Sequence, residues 1–196
     1  MSARFSVETA KSGNCLRDHF LLAMPRLSEG IFSQSITYIC EHGESGAMGI
    51  IINRPLDLTV GEIFEHLQIN ARHDFSAVPV MAGGPVQLDH GFVLHRYCDN
   101  TWEASLKVTS EITLTTSRDI LRAIAAGDGP QDHLIALGYA GWAAGQLEQE
   151  LAENSWLTLP ASSDIIFSTP AEQRLRAAAA LLGIDMNLIS GQAGHA

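Results

Sequence analysis

Gly138-Tyr139-Ala140-Gly141-Trp142-Ala143-Ala144-Gly145-Gln146-Leu147-Glu148-Gln149-Glu150-Leu151 follows directly on the apolar run His133-Leu134-Ile135-Ala136-Leu137. A short apolar run bounded by glycine predicts a buried strand, and the glycines predict a tight backbone turn. Leu147 and Leu151 then recur at helical spacing, which puts Glu148, Gln149 and Glu150 on the wet side of a helix. Strand, turn and helix start are expected within this one stretch. Such a junction can aim backbone N–H groups at an anion, and it is equally a way to turn a corner for packing.

Downstream, Trp156–Leu159 and Asp164–Phe167 have the pattern of short strands split by Pro160. Thr169-Pro170-Ala171-Glu172 has the form of a capping box with proline at the first helical position, and the alanine-rich helix behind it is expected to end at Gly183. Upstream, Leu16–Met24 is expected as a first strand. Ser35–Glu41 and Met48–Asn53 follow as strands joined by the turn-rich His42–Ala47, with Pro55 ending the ladder. Thr59 and Glu62 form a second capping box, ahead of Ile63, Phe64 and Leu67 on one helical face. Val78–Ala82, Gly91–His95, Leu106–Val108 and Ile112–Thr115 are further strands, and a helix runs from the cap Ser117 to Gly127. Strands outnumber helices and hairpins mix with crossovers, which argues an α+β fold on a mixed sheet rather than a doubly wound one.

The bulk properties narrow the function classes. At 196 residues, 46% hydrophobic and 17% charged, the chain can build a real core. Residues 1–14 are expected as a loose N-terminal arm and 15–196 as a single domain. A net charge of -10 repels a phosphate backbone, so direct nucleic-acid binding is disfavoured. The densest basic pairs, Arg118 with Arg122 and Arg174 with Arg176, sit beside acids and are expected as solvated helix faces. Cys15, Cys40 and Cys98 are widely spaced with no zinc pattern, which points to reduced thiols. No apolar run is long enough to span a bilayer and the N-terminus has no secretory h-region, so a cytoplasmic protein is expected.

Five segments, in order along the chain, resemble the YqgE/AlgH family of small bacterial proteins. They are Cys40-Glu41-His42 with Gly46–Gly49 and Asn53-Arg54-Pro55; Gly83-Gly84-Pro85-Val86; Gly91–Arg96; Gly138–Glu150 with Trp156; and Gly183-Ile184-Asp185 with Gly194-His195-Ala196. The resemblance implies a bifurcated sheet, part of it curled into a small barrel, with helices packed outside. It also carries a transcriptional-regulator label, and brings no catalytic residue, ligand or cofactor. Ala143 stands where the family often has glycine, and Ser168 and Leu175 where Asp and Trp are usual.

Four groups of residues are candidates for chemistry. Gly138, Gly141 and Gly145 lack the spacing of either nucleotide-binding glycine motif, and no lysine follows them. They suit close packing under Tyr139 and Trp142, or an anion at the helix start. Cys40 and His42 share a strand face, with Cys40 expected buried and inert and His42 exposed. Asn53 and Arg54 suit either a strand-end cap and ion pair or recognition of a carboxylate or phosphate. Gly83-Gly84-Pro85 is a turn whose N–H groups would form an anion nest if they faced the same cleft as Arg54 and Gly141. His90 and His95 are poorly spaced for a metal, no metal or cofactor is expected, and a nucleophile-elbow motif is absent.

The ligand-binding expectation therefore rests on Asn53, Arg54, Gly83, Gly84, Gly138, Gly141, Trp142 and Gly145. The leading expectation is a non-enzymatic regulatory module that binds a protein partner or a small anionic ligand. The alternatives are an enzyme acting on a small phosphorylated or acidic substrate and a direct DNA-binding regulator.

Overall fold

A computed structural model describes residues 15–184. The N-terminal arm and the motif positions Asp185, Gly194, His195 and Ala196 lie outside the described residues. β1 (His19–Ala23) precedes the hairpin of β2 (Ile36–Gly43) and β3 (Gly46–Ile51). β4 (Pro55–Thr59) runs straight into α1 (Val60–His66), followed by β5 (Pro79–Ala82) and β6 (Val86–Arg96). The hairpin of β7 (Ser105–Lys107) and β8 (Ile112–Thr115) leads to α2 (Arg118–Ala126). β9 (His133–Ala143), α3 (Gln146–Ala152), β10 (Trp156–Pro160), α4 (Ser163–Phe167) and α5 (Ala171–Leu181) complete the described chain.

The fold is α+β, and its 10-stranded mixed sheet runs in the order β10-β1-β2-β3-β9-β6-β8-β7. β9 is the strand where the sheet divides. Its residues 140–143 pair with β3, Ala136 and Leu137 pair parallel with β5, and β6 takes the other edge. Among the described residues, β4 pairs only with β5. The sheet curls around a core of Phe20, Tyr38, Ile50, Phe92, Leu94 and Leu114, closed off by Ile165, Ile166, Ala178 and Ala179 from α4 and α5. Just before β1, Arg17 donates from Nε to Val108 O at 2.7 Å and from its terminal nitrogen to Lys107 O. β1 and β7 lie near opposite ends of the strand order, so this one side chain ties the curled edges together. On the outer face, α1 and α2 bury Phe64, Ile120, Leu121 and Ile124 against Val93 and Ile135. α3 seats Leu147 in a third cluster with Trp142 and Trp156.

The local start and stop signals mostly act as their chemistry predicts. Glu62 N–H donates to the Thr59 hydroxyl at 3.2 Å while Thr59 N–H donates to the Glu62 carboxylate at 2.8 Å, a reciprocal cap. A cap of this kind stabilises a helix by about 1 kcal/mol. α2 ends at Gly127 in the left-handed region.

Several expectations are corrected. The strand does not stop at the glycines: β9 continues through Gly138 and Gly141 to Ala143, and the helix expected to carry Leu147 and Leu151 starts at Gln146. Pro55 does not end strand pairing; it opens β4, an edge strand whose first residue needs no N–H partner. Asp164–Phe167 is helical, not extended. Adjacent Ile165 and Ile166 are both buried there, and Arg96 holds the helix start through Ser163 Oγ at 3.0 Å and Asp164 at 3.2 Å. Thr169 does not cap α5, because its hydroxyl donates to Asp164 O and Pro170 takes the cap position without a side-chain bond. Arg174 is not on a solvated face: it is buried, and donates to Thr169 O at 2.9 Å and to Ile52 O.

Candidate functional site

The glycines 83, 84 and 138 meet at one point, where the β5–β6 connection crosses the backbone of β9. Ile51 N–H donates to Gly83 O and Gly83 N–H to Leu137 O, both at 2.8 Å. A Cβ on Gly83 would fall on Gly138 O, and one on Gly84 would fall on the Tyr139–Ala140 peptide. Two main chains are in direct contact here, with no room for a methyl group between them. Gly138 itself has φ +71. Before it, Leu134 and Ala136 face the central core; after it, Tyr139 does, while Ala140 and Trp142 face the α3 cluster. Side chains of a regular strand alternate without interruption. The alternation flips at Gly138, where the register with β6 is irregular: residues 87–90 of β6 lie between the partners of Tyr139 and Leu137, opposite Gly138 alone.

Asn53 and Arg54 lie next to this crossing through main-chain bonding, Ala82 N–H donating to Arg54 O at 2.7 Å. Their side chains turn the other way. Asn53 accepts from Ile36 N–H at 3.0 Å and donates to Gln34 O at 2.9 Å, and Arg54 donates to Ser33 O. Both brace the loop entering β2. Gly145 sits at the start of α3 in the left-handed region, with open space around it, and Gly141 lies under the edge of the Tyr139 ring.

Trp142 is buried in a T-shaped cluster with Trp156, ring centroids 5.9 Å apart, with Phe32 against both. Each indole donates to Glu150, which corrects the placing of Glu150 on a merely wet face. Gln146 completes the clamp, donating to the second oxygen at 2.9 Å. His42 is corrected in the same way. Its side chain is only 8% exposed. Leu16 N–H donates to Nδ1 at 3.0 Å, which leaves the ring proton on Nε2, 2.7 Å from Glu148. Cys40 is buried, and burial pushes its thiol far above the usual range, so it is no nucleophile.

The sequence reading missed a shallow apolar dimple at the mouth of the curled sheet, lined by Met48, Phe92, Leu106 and Leu114 with Ala104, Ser105 and Thr116. Tyr139 packs edge-on against Phe92 with centroids 5.6 Å apart, and Leu88, 63% exposed, lies beside neighbouring Gly138.

A family model described as AlgH-like matches residues 20–187. The chain belongs to the AlgH-like family. It is 55% identical to a UPF0301 protein of Saccharophagus degradans, over 92% of this chain and 89% of that one. It is 56% identical to one of Thioalkalivibrio sulfidiphilus, over 91% and 96%. The solution structure of the AlgH protein from Pseudomonas aeruginosa superposes with a TM-score of 0.77 at 48% identity, covering 96% of this chain and all 100% of that one. A crystal structure of a Corynebacterium diphtheriae protein shares the fold, with a TM-score of 0.68 at 15% identity over 95% of each chain. The AlgH-like fold implied by the five motifs is thereby established. Among the described residues of this AlgH-like chain, no group of three or more His, Cys, Asp or Glu is placed to hold a metal ion. No described helix is long and apolar enough to cross a membrane.

Proposed function

We propose that the chain is a regulatory binding module that takes an apolar side chain of a protein partner into the dimple at the mouth of the curled sheet. The observation that carries this reading is the lining. Met48, Phe92, Leu106 and Leu114 offer apolar surface and no basic group, which suits a hydrophobic anchor and not an anion. On the same strand as Phe92, Leu88 adds an exposed apolar side chain beside Gly138. A small anionic ligand near Arg54 is less well supported, because its guanidinium is engaged with Ser33 O and the neighbouring glycines are pressed against backbone. The acidic charge favours regulation through a protein over direct DNA contact.

The test is photo-crosslinking in the native host with benzoylphenylalanine in place of Leu88, then titration of the purified captured protein. Met48→Glu with an unchanged melting curve is expected to abolish binding. Binding that survives Met48→Glu overturns this reading. A melting screen provides the opposing arm. A phosphorylated metabolite at about 100 times its Kd adds about 2.7 kcal/mol, and such a rise, lost in Arg54→Ala, would assign a small anionic ligand instead.

A further inference from the structure

Ser105, on the edge strand β7, stands opposite Thr115 of β8. A ladder bond lies in the adjoining pair, Thr116 N–H to Ala104 O, and another three pairs further on, Val108 N–H to Ile112 O, each at 2.9 Å, in step with the alternation of an antiparallel ladder. Ser105 and Thr115 are therefore a non-hydrogen-bonded pair, where facing side chains come closest. Their hydroxyl oxygens are 2.8 Å apart. Thr115 Oγ1 is in turn 2.9 Å from Nε2 of His95 on β6.

The far end of this chain fixes the direction of every proton in it. His95 Nδ1 lies 2.8 Å from the carbonyl oxygen of Arg96. A carbonyl only accepts, so Nδ1 carries the ring proton and Nε2 is an acceptor in the neutral imidazole. Thr115 O–H then donates to Nε2, and Ser105 O–H donates to Thr115. Burial holds His95 below its usual range, and His133 across the ladder presses the same way, so the base is unprotonated at neutral pH. His95 and Thr115 are 2% and 0% exposed, whereas Ser105 is open to solvent. The result is an accessible hydroxyl wired to a buried base, at the rim of the dimple that Ser105 helps to line.

We propose that Ser105 is a nucleophilic hydroxyl that takes an acyl group from a small activated ester, with Thr115 relaying its proton to His95. Ser105 Oγ bonds to the carbonyl carbon as its proton passes to Thr115 Oγ1 and the Thr115 proton passes to His95 Nε2. The bond from that carbon to the leaving alcohol oxygen then breaks, and the alcohol departs with the proton returned along the same chain. The products are acyl-Ser105 and the alcohol; water entering by the reverse route releases the acid and restores the hydroxyl. The Ser105 N–H, turned away from β8 at the open sheet edge, is the donor at hand for the developing oxyanion. This proposal does not rest on the partner-binding reading, although Ser105 stands at the rim of the same dimple.

The test uses p-nitrophenyl acetate, intact-mass analysis and peptide mapping. One acetyl group on Ser105 is expected, and none at that peptide in Ser105→Ala. Thr115→Val keeps the shape but cuts the relay, so labelling slows at least ~100-fold, the scale of a lost general base. Thr115→Ser restores it. An unlabelled protein, adducts on lysines or cysteines alone, or wild-type labelling of Thr115→Val overturns the proposal. If Thr115→Val melts early, the other two variants still decide it: Thr115→Ser must label at Ser105 and Ser105→Ala must not.

Discussion

Trp142 and Trp156 share one acceptor: both indole N–H groups point at Oε2 of Glu150, at 2.9 and 2.8 Å. The two tryptophans come from β9 and β10, which are separated in the sheet by three other strands. One carboxylate on α3 therefore joins the middle of the sheet to its edge. Glu150→Ala strands two buried donors, each of which had a charge-assisted bond, and a destabilisation of ~2–4 kcal/mol is expected. Glu150→Gln keeps an acceptor and should cost less than half of that. Urea unfolding followed by tryptophan fluorescence measures both, and a native Glu150→Ala emission spectrum with an unshifted midpoint would count against the clamp.

The crossing of two backbones at Gly84 and Gly138 predicts an asymmetry among the glycines. Gly84→Ala puts a methyl group onto the Tyr139–Ala140 peptide, where nothing flexible can give way. Gly138→Ala meets Gly84 O and forces a left-handed alanine as well. Each is expected to cost at least ~3 kcal/mol. Gly145→Ala has a similar φ but open space, so only the conformational cost of ~1 kcal/mol applies. Thermal melts of the three variants check the order, and equal losses would mean that the close approach is not what fixes glycine at positions 84 and 138.

These glycines also mark the boundary of what could be read from sequence. The Thr59–Glu62 cap, the β2–β3 hairpin and the Gly127 helix end were legible because each signal and its partner lie within a few residues. Gly138 announced a left-handed residue, but not that Gly83 and Gly84 would press on it, because that contact depends on tertiary packing. The strand was expected to end too early for the same reason: a glycine inside an apolar run can end a strand or bulge it, and only the neighbouring strands decide. Glu150 was assigned to water because a carboxylate on an amphipathic helix usually belongs there. Its indole donors lie on two strands outside the helix pattern. The relay through Ser105, Thr115 and His95 left a fainter trace, hydroxyl residues alternating with leucine in Thr113-Leu114-Thr115, which marks a polar strip on one sheet face without naming the histidine it meets.

His95 carries a pH dependence with a defined sign. Its folded pKa lies below the usual 6.5, chiefly because burial penalises the charged ring. Between the two values the unfolded chain binds the extra proton and the folded chain does not, so stability is full above pH 6.5 and falls as the pH drops toward the folded pKa. The slope is at most ~1.4 kcal/mol per pH unit for this one group. Urea midpoints at successive pH values below 6.5 should decline, and His95→Asn, which keeps a donor for Arg96 O without titrating, should flatten the decline. A decline of equal slope in that variant would assign the effect to other groups.

Arg174 tests whether a buried cation can act as a bracket rather than a binding group. Burial pulls its pKa down to about 10, which still leaves it charged at neutral pH. No carboxylate lies within ion-pair distance among the described residues, and its bonds go to the carbonyls of Thr169 and Ile52. It thus fastens the first turn of α5 both to the end of α4 and to the strand end next to Asn53. Arg174→Ala removes both donors and opens a cavity, so a loss of ~2–4 kcal/mol is expected. Arg174→Lys places a single ammonium where a planar fork spanned two carbonyls, and should recover only part of that loss. Arg174→Met fills the space without a charge to desolvate. If it is as stable as the parent, desolvation of the guanidinium cancels what its hydrogen bonds contribute, as happens at other buried charges. If it is as unstable as Arg174→Ala, the two carbonyl bonds are what hold α5 against the sheet.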